Sequence, residues 1–306
     1  MYRSMKLLIT GAFPASPQQC DVLRENGFSL YFQQDERGAP ACDFAEMDAV
    51  ICNGLFLYHD IAAFKKLRCI QLTSAGLDRV PLDYIRAHGI ALYNAGGVYS
   101  IPMAEFAVAG ILQLYKHLPA FREHQKAHVW QKDREVRELC GQTAAIVGCG
   151  SVGTACAKRL CAFGVHCTAV DIVRPTDAAY EAFFDVAHIA DALKTADIVL
   201  LTLPLTDDTR GMFDKALFAQ CKDGAVLVNI ARGAVVREDA LSDALSAGKL
   251  AGAVLDVFEE EPLRENSTLW DFDNVIVTPH NAFVSDKNHE RLFALVLKNL
   301  KNAVEG

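Results

Sequence analysis

Residues 144–153, Ala-Ala-Ile-Val-Gly-Cys-Gly-Ser-Val-Gly, restrict the fold of this chain more than any other stretch. An apolar run of the kind that forms a buried strand passes straight into three glycines, and Ala155, Ala157, Leu160 and Cys161 then follow at helical spacing. A strand that breaks through a glycine turn into a helix is the first half of a parallel βαβ unit. A second apolar run over 166–170 delivers Asp171, eighteen residues beyond the last glycine.

Each residue has a physical task in such a unit. Gly148 permits the tight turn, Gly150 leaves room for a pyrophosphate to approach the backbone, and Gly153 lets the helix pack closely on its strand. The helix N-terminus offers unpaired N–H groups and partial positive charge to the phosphates. An acid at 171 accepts hydrogen bonds from the adenosine ribose and repels a 2′-phosphate. The pattern therefore predicts a dinucleotide site that favours NAD(H) over NADP(H), with Arg174 near enough to weaken that preference.

With 306 residues, 51% hydrophobic and 22% charged, the chain is long enough for two cores and too long for one. A net charge of -8 gives no electrostatic basis for holding nucleic acid. The ten cysteines lie singly inside apolar runs, as Cys52, Cys69, Cys149, Cys156 and Cys161 do, and make no C-x-x-C pair. Buried free thiols in a reducing cytoplasm are expected, with no metal site. Residues 1–5 run directly into a strand-like stretch, leaving no signal-peptide pattern, and no apolar segment is long enough to span a membrane.

Apolar β-type runs at 7–10, 28–32, 49–52, 69–72 and 90–93 alternate with helical candidates at 18–25, 61–67 and 81–88. Such alternation predicts a parallel sheet covered on both faces. Residues 94–102 form a loop, and a long helical pattern runs from Met103 towards Trp130. Strands at 142–147, 167–170, 197–203, 225–230, 252–257 and 275–278, with helices such as 190–195 and 237–247, predict a six-stranded Rossmann sheet. A final helix over 286–303 is expected to cross back and cap the first sheet. The expected divisions are 1–98 for the first part of a substrate domain, 99–281 for the NAD-binding domain, and 282–306 for the returning helix.

Three further segments place a polar residue straight after a buried strand, where ligands sit in open α/β sheets. Arg232 ends an apolar strand, and a guanidinium there can grip a carboxylate or polarise a carbonyl oxygen. Glu259, Glu260 and Glu261 follow the run ending at Val257, and His280 follows the run ending at Thr278. A histidine held by a carboxylate is a proton donor or acceptor that works near neutral pH.

The fingerprint, Asn-Ile-Ala-Arg-Gly at 229–233, Leu-Asp-Val-Phe-x-x-Glu-Pro-Leu at 255–263 and Thr-Pro-His at 278–280 resemble, in order and spacing, the D-isomer-specific 2-hydroxyacid dehydrogenase family. By position, the resemblance puts the catalytic arginine on Arg232, the glutamate on Glu261 and the histidine on His280. It implies that Asp256 holds the nicotinamide carboxamide, that Ser151 and Val152 offer backbone to the pyrophosphate, and that Pro204, Thr209, Ile230 and Ala231 line the cofactor together with Arg232 and His280. It further implies that the Ser74, Ala75 and Gly76 loop takes the substrate carboxylate, with Asn53 close by.

What the resemblance implies overall is α/β architecture with two doubly wound parallel-sheet domains, a Rossmann NAD-binding domain inserted in a flavodoxin-like substrate domain, and the active site between them. The expected protein is a cytoplasmic homodimer built largely through the cofactor domain, using NAD on a small 2-keto or 2-hydroxy acid and binding neither nucleic acid nor membrane. Two alternatives stay open. One is a phosphoglycerate dehydrogenase; the chain ends soon after the last helix, without room for the regulatory domain of some of those enzymes, although a short form also exists. The other is a non-catalytic NAD(H)-sensing, corepressor-like protein.

Overall fold

The structure, a computed structural model, describes residues 4–305. It divides into two compact units, one formed by the chain up to Val98 together with the chain from Ser285, the other by Tyr99–Val284.

The first unit opens with β1 (Met5–Thr10), α1 (Pro17–Glu25), β2 (Phe28–Gln33), β3 (Ala49–Cys52), β4 (Cys69–Leu72), α2 (Leu82–Ala87) and β5 (Ala91–Tyr93). The strands make a parallel sheet in the order β2-β1-β3-β4-β5. Every residue of β3 and β4 is buried, as expected of strands covered on both faces. Helix α1 begins at Ser16 with a capping box closed by Gln19, and Pro17 takes the first helical position. Because the strand order reverses between β1 and β3, their carboxyl ends part there and leave a crevice. Residues 61–67, expected as a helix, form only one 3-10 turn over Ile61–Ala63. Asp60 caps that turn, and Phe64 leaves it to stack on Phe44, so side-chain packing overrides the helical spacing.

The second unit contains α3 (Ser100–Tyr115), α4 (Leu118–Lys126), β6 (Thr143–Val147), α5 (Ser151–Ala162), β7 (His166–Asp171), β8 (Ala182–Asp185), α6 (Ile189–Leu193), β9 (Ile198–Leu201), α7 (Lys215–Gln220), β10 (Ala225–Asn229), α8 (Glu238–Ser246), β11 (Leu250–Leu255) and β12 (Val275–Val277). Among the described residues its sheet has seven parallel strands, ordered β12-β11-β10-β9-β6-β7-β8. The strand that sequence reading missed is β8, an edge strand of four residues that is only half buried and lacks a continuous apolar run. The long helix expected from Met103 is broken at His117, whose φ of 49° is left-handed; its Nδ1 lies 2.6 Å from Asp133. Two apolar layers enclose the sheet, one including Phe213, Phe218 and Leu241, the other Ile111, Tyr115 and Leu160.

The last helix, α9 (Asn288–Glu305), belongs to the first unit and lies on β4. There the Asn299 amide donates to Gln71 Oε1 at 2.8 Å, pairing two buried polar groups, and Arg291 Nε donates to the Val98 carbonyl at 3.0 Å.

Candidate active site

In the second unit the strand order reverses between β6 and β9, and the glycine turn sits at that point. Gly148 has φ +92°, and a Cβ there would come within 2.5 Å of Leu203 N, so both conformation and space require glycine. A Cβ at Gly153 would lie 2.2 Å from the Gly148 carbonyl oxygen, whereas one at Gly150 would meet nothing within 4 Å. The turn is thus packed tightly below and open above. Gly150 caps α5 without a side-chain hydrogen bond, which leaves the first-turn N–H groups of Ser151, Val152 and Gly153 to an outside acceptor. These features fit a pyrophosphate.

Asp171, at the end of β7, is half buried. One carboxylate oxygen accepts the Cys149 N–H at 2.5 Å and the other accepts the Ile172 N–H at 2.7 Å, so the acid ties the glycine turn to the next strand while keeping lone pairs for a ribose. Arg174 lies over the Phe183 ring at 5.7 Å. Beyond β9, Thr209 Oγ1 donates to the Pro204 carbonyl at 2.8 Å and accepts from Thr206 N, so it closes its own loop. Burial pushes the Cys149 thiol up to about 11.

The β10 strand ends in Asn229, a polar residue only 1% exposed. Its amide oxygen accepts the Ala231 N–H at 3.1 Å and its amide nitrogen donates to the Arg232 carbonyl at 3.2 Å, folding the turn through Ile230 and Ala231 that presents Arg232. Gly233 then lies against Phe258; a Cβ there would fall 1.8 Å from the Phe258 carbonyl carbon. The Phe258 N–H donates to Glu261 Oε1 at 3.1 Å, and Glu261 Oε2 lies 2.8 Å from His280 Nδ1. The arginine turn, the glutamate and the histidine are therefore one connected structure at the carboxyl ends of β10, β11 and β12.

His280 is held in a left-handed conformation, φ 51°, which costs a non-glycine residue of order 1 kcal/mol or more. Asp256, 2% exposed, holds it there. The Asp256 carbonyl accepts the His280 N–H at 2.8 Å, and its carboxylate accepts from Thr278 Oγ1 at 2.7 Å, Asn281 N at 2.7 Å and Ala282 N at 2.9 Å. Since a carboxylate can only accept, His280 donates through Nδ1 and Nε2 is left for proton exchange.

The remaining predicted residues lie in the first unit. Ser74, Ala75 and Gly76 follow β4; Ser74 Oγ donates to the Gly76 carbonyl at 3.2 Å, and Asn94 Nδ2 donates to the Ala75 carbonyl at 2.7 Å. The carbonyls and the hydroxyl are thus engaged, by Ser74 itself and by Asn94 and Ala95 after β5, and the loop amides are the groups suited to an anion. Asn53 follows β3, its side-chain oxygen buried without a hydrogen-bond partner.

Residues 108–282 match the model of the D-isomer specific 2-hydroxyacid dehydrogenase, NAD binding domain. The chain belongs to the D-isomer specific 2-hydroxyacid dehydrogenase family. Among relatives of this family, a D-3-phosphoglycerate dehydrogenase of Archaeoglobus fulgidus is 30% identical over 99% of this chain and 58% of its own length. An (S)-sulfolactate dehydrogenase of Chromohalobacter salexigens is 34% identical over 80% of each chain. The chain spans about half the length of the phosphoglycerate dehydrogenases it matches here, between 43% and 58%. A D-lactate dehydrogenase from Aquifex aeolicus, solved with NAD and lactic acid, superposes with a TM-score of 0.82 at 28% identity, covering 98% of this chain and 96% of that one.

Sequence reading did not foresee the supporting residues. Asn229 was a visible signal, a polar residue closing an otherwise apolar strand. The resemblance assigns Asp256 to the cofactor; that its carboxylate organises residues 278–282 depends on a register that spacing does not reveal.

Proposed function

We propose that the protein is an NAD-dependent oxidoreductase that interconverts a 2-keto acid and a D-2-hydroxy acid, with Arg232, Glu261 and His280 as its catalytic residues. The observation that carries this reading is the 2.8 Å contact between His280 Nδ1 and Glu261 Oε2, joined through Phe258 to the turn bearing Arg232. Gly148, Gly150, Ser151, Val152 and Gly153 hold the pyrophosphate, and Asp171 the adenosine ribose. Pro204, Thr209, Ile230, Ala231 and Asp256 line the remainder of the cofactor site. When bound, the dinucleotide supplies or accepts the hydride.

The chain's own residues do the rest. The amides of Ser74, Ala75 and Gly76 hold the substrate carboxylate, with Asn53 beside them. Arg232 holds the carbonyl oxygen and carboxylate by charge-assisted hydrogen bonds, which fixes the face of C2 that is open to attack. His280 Nε2 gives a proton to the alkoxide oxygen as it forms, and takes it back in the oxidising direction. Glu261 accepts the Nδ1 proton throughout, holding ring tautomer and orientation.

The preference for NAD(H) over NADP(H) rests on the Asp171 carboxylate at the ribose and on Arg174 being engaged with Phe183. A homodimer formed through the NAD-binding unit is supported by apolar side chains left bare there: Trp130 is 99% exposed, with Leu118 and Val129 near it in sequence. Among the described residues no helix is long and apolar enough to cross a membrane. A cytoplasmic location is supported by ten free cysteines.

The test is NADH oxidation, read by absorbance, with glyoxylate, pyruvate, hydroxypyruvate and 3-phosphohydroxypyruvate. Turnover with at least one acid supports the reading; NADH binding without turnover across a broad panel replaces it with a dinucleotide-sensing protein.

A further inference from the structure

The first unit carries a cavity of about 470 Å³ lined by Ala12, Glu36, Arg37, Asn53, Gly54 and Arg79 among others. These residues follow β1, β2, β3 and β4, so the cavity opens at the carboxyl edge of the sheet where the strand order reverses. The Ser74–Gly76 loop follows β4 at that same edge.

Glu36 is built into this cavity. Its Oε1 accepts from Thr10 Oγ1 at 2.7 Å and from Asn53 N at 2.7 Å, and its Oε2 accepts from Gly54 N at 2.7 Å. Its carbonyl accepts from His59 Nε2 at 2.9 Å. The loop that carries it is knotted by Gln33, 3% exposed, whose amide nitrogen donates to the Asp35 and Ala39 carbonyls while its amide oxygen accepts the Ala41 N–H. Glu36 is thus fixed by its side chain, its backbone and its loop.

The pair of amides at Asn53 and Gly54 is an anion-binding arrangement, and the chain has filled it with its own carboxylate. Of the two guanidiniums on the cavity wall, Arg37 is paired with Asp35 at 3.1 Å, and Arg79 shares the cavity with Glu36. A second anionic group on a substrate would find the amides occupied and a fixed negative charge in their place. The Asn53 side-chain oxygen, buried without a partner, is an acceptor suited to a hydroxyl.

The geometry points to Glu36 as a specificity-determining residue that excludes 2-keto acids bearing phosphate or sulfonate at C3 and selects small neutral ones. This rests on the keto-acid reading above. The excluded acids are of the kind for which the similar phosphoglycerate and sulfolactate dehydrogenases are named.

The experiment compares kcat/KM for hydroxypyruvate and 3-phosphohydroxypyruvate in the wild type, Glu36→Gln and Thr10→Val, read as the ratio within each protein so that any general loss cancels. The wild type should favour hydroxypyruvate by about 100-fold or more, and Glu36→Gln should narrow the ratio at least about tenfold, with Thr10→Val between them. Equal use of both acids by the wild type, or a ratio unmoved in folded Glu36→Gln, overturns the proposal. If the wild type reduces no keto acid, the reading above fails by itself. Inorganic phosphate then serves as probe: a thermal shift gained in Glu36→Gln supports the role of Glu36, and no gain overturns it.

Discussion

Gly233 lies so close to Phe258 that a Cβ on the glycine would sit 1.8 Å from the phenylalanine carbonyl carbon. Both residues are buried, and the atoms that would collide are backbone, which no rotamer change can relieve. Through this contact the arginine turn is set against the segment that carries the glutamate.

Gly233→Ala should therefore lose at least about 2 kcal/mol of stability, and activity should fall with it because Arg232 moves. Urea unfolding monitored by circular dichroism measures the first. A midpoint matching the wild type would show that the turn is not held as described.

Asp256→Asn places an amide N–H₂ where a buried carboxylate now accepts three hydrogen bonds. Since at least one donor must then face another donor, the variant should lose about 2–3 kcal/mol. The loop bearing His280 should exchange its amide hydrogens faster. Unchanged protection at Asn281 and Ala282 in hydrogen exchange would contradict the assignment of Asp256 as the anchor of that loop.

The architecture was legible because strand-length apolar runs and glycine punctuation alternate through the chain, and because Gly148, Gly150, Gly153 and Asp171 carry the spacing of a strand-turn-helix-strand unit, with packing that demands glycine at 148 and 153. Arg232 and His280 stand out in the sequence as polar residues after apolar strands, whereas Glu261 is picked from three adjacent glutamates only by the family resemblance, and its contact with His280 is tertiary. What stayed hidden depends on tertiary register. Glu36 reaches amides 17 and 18 residues away, and in sequence it is one charge in a run of charges. The edge strand Ala182–Asp185 has too little burial to mark itself, and Phe64 leaves its helical pattern to meet a ring twenty residues earlier.

Buried thiols give the protein a particular alkaline response. Burial pushes Cys149 and Cys221 up to about 11 and Cys69 and Cys156 up to about 12, against 9.0 for the free side chain. Above pH 9 the unfolded chain releases these protons and the folded chain does not, so the stabilisation present below pH 9 declines as pH rises towards 11–12. The urea midpoint should fall between pH 8 and pH 10, less steeply in Cys69→Ala. At pH 8 iodoacetamide should modify the exposed Cys140 well before the half-buried Cys149; equal labelling by mass spectrometry would contradict the shielding of the loop thiol.

On the proposed placement of Asp171 at the ribose, Asp171→Ser removes the charge that would repel a 2′-phosphate, and should shift the NADH to NADPH ratio of kcat/KM by about tenfold or more towards NADPH. It also removes the acceptor of the Cys149 N–H, so NADH binding itself should weaken. An unchanged ratio would remove Asp171 from the ribose.

The central claim is that the imidazole of His280, steered by Glu261, moves the proton. The most direct measurement is kcat for the best keto acid in His280→Ala beside the NADH dissociation constant of the same protein, read by fluorescence. The account predicts a fall in kcat of about 10³-fold with NADH binding nearly intact. Turnover comparable to the wild type would contradict it.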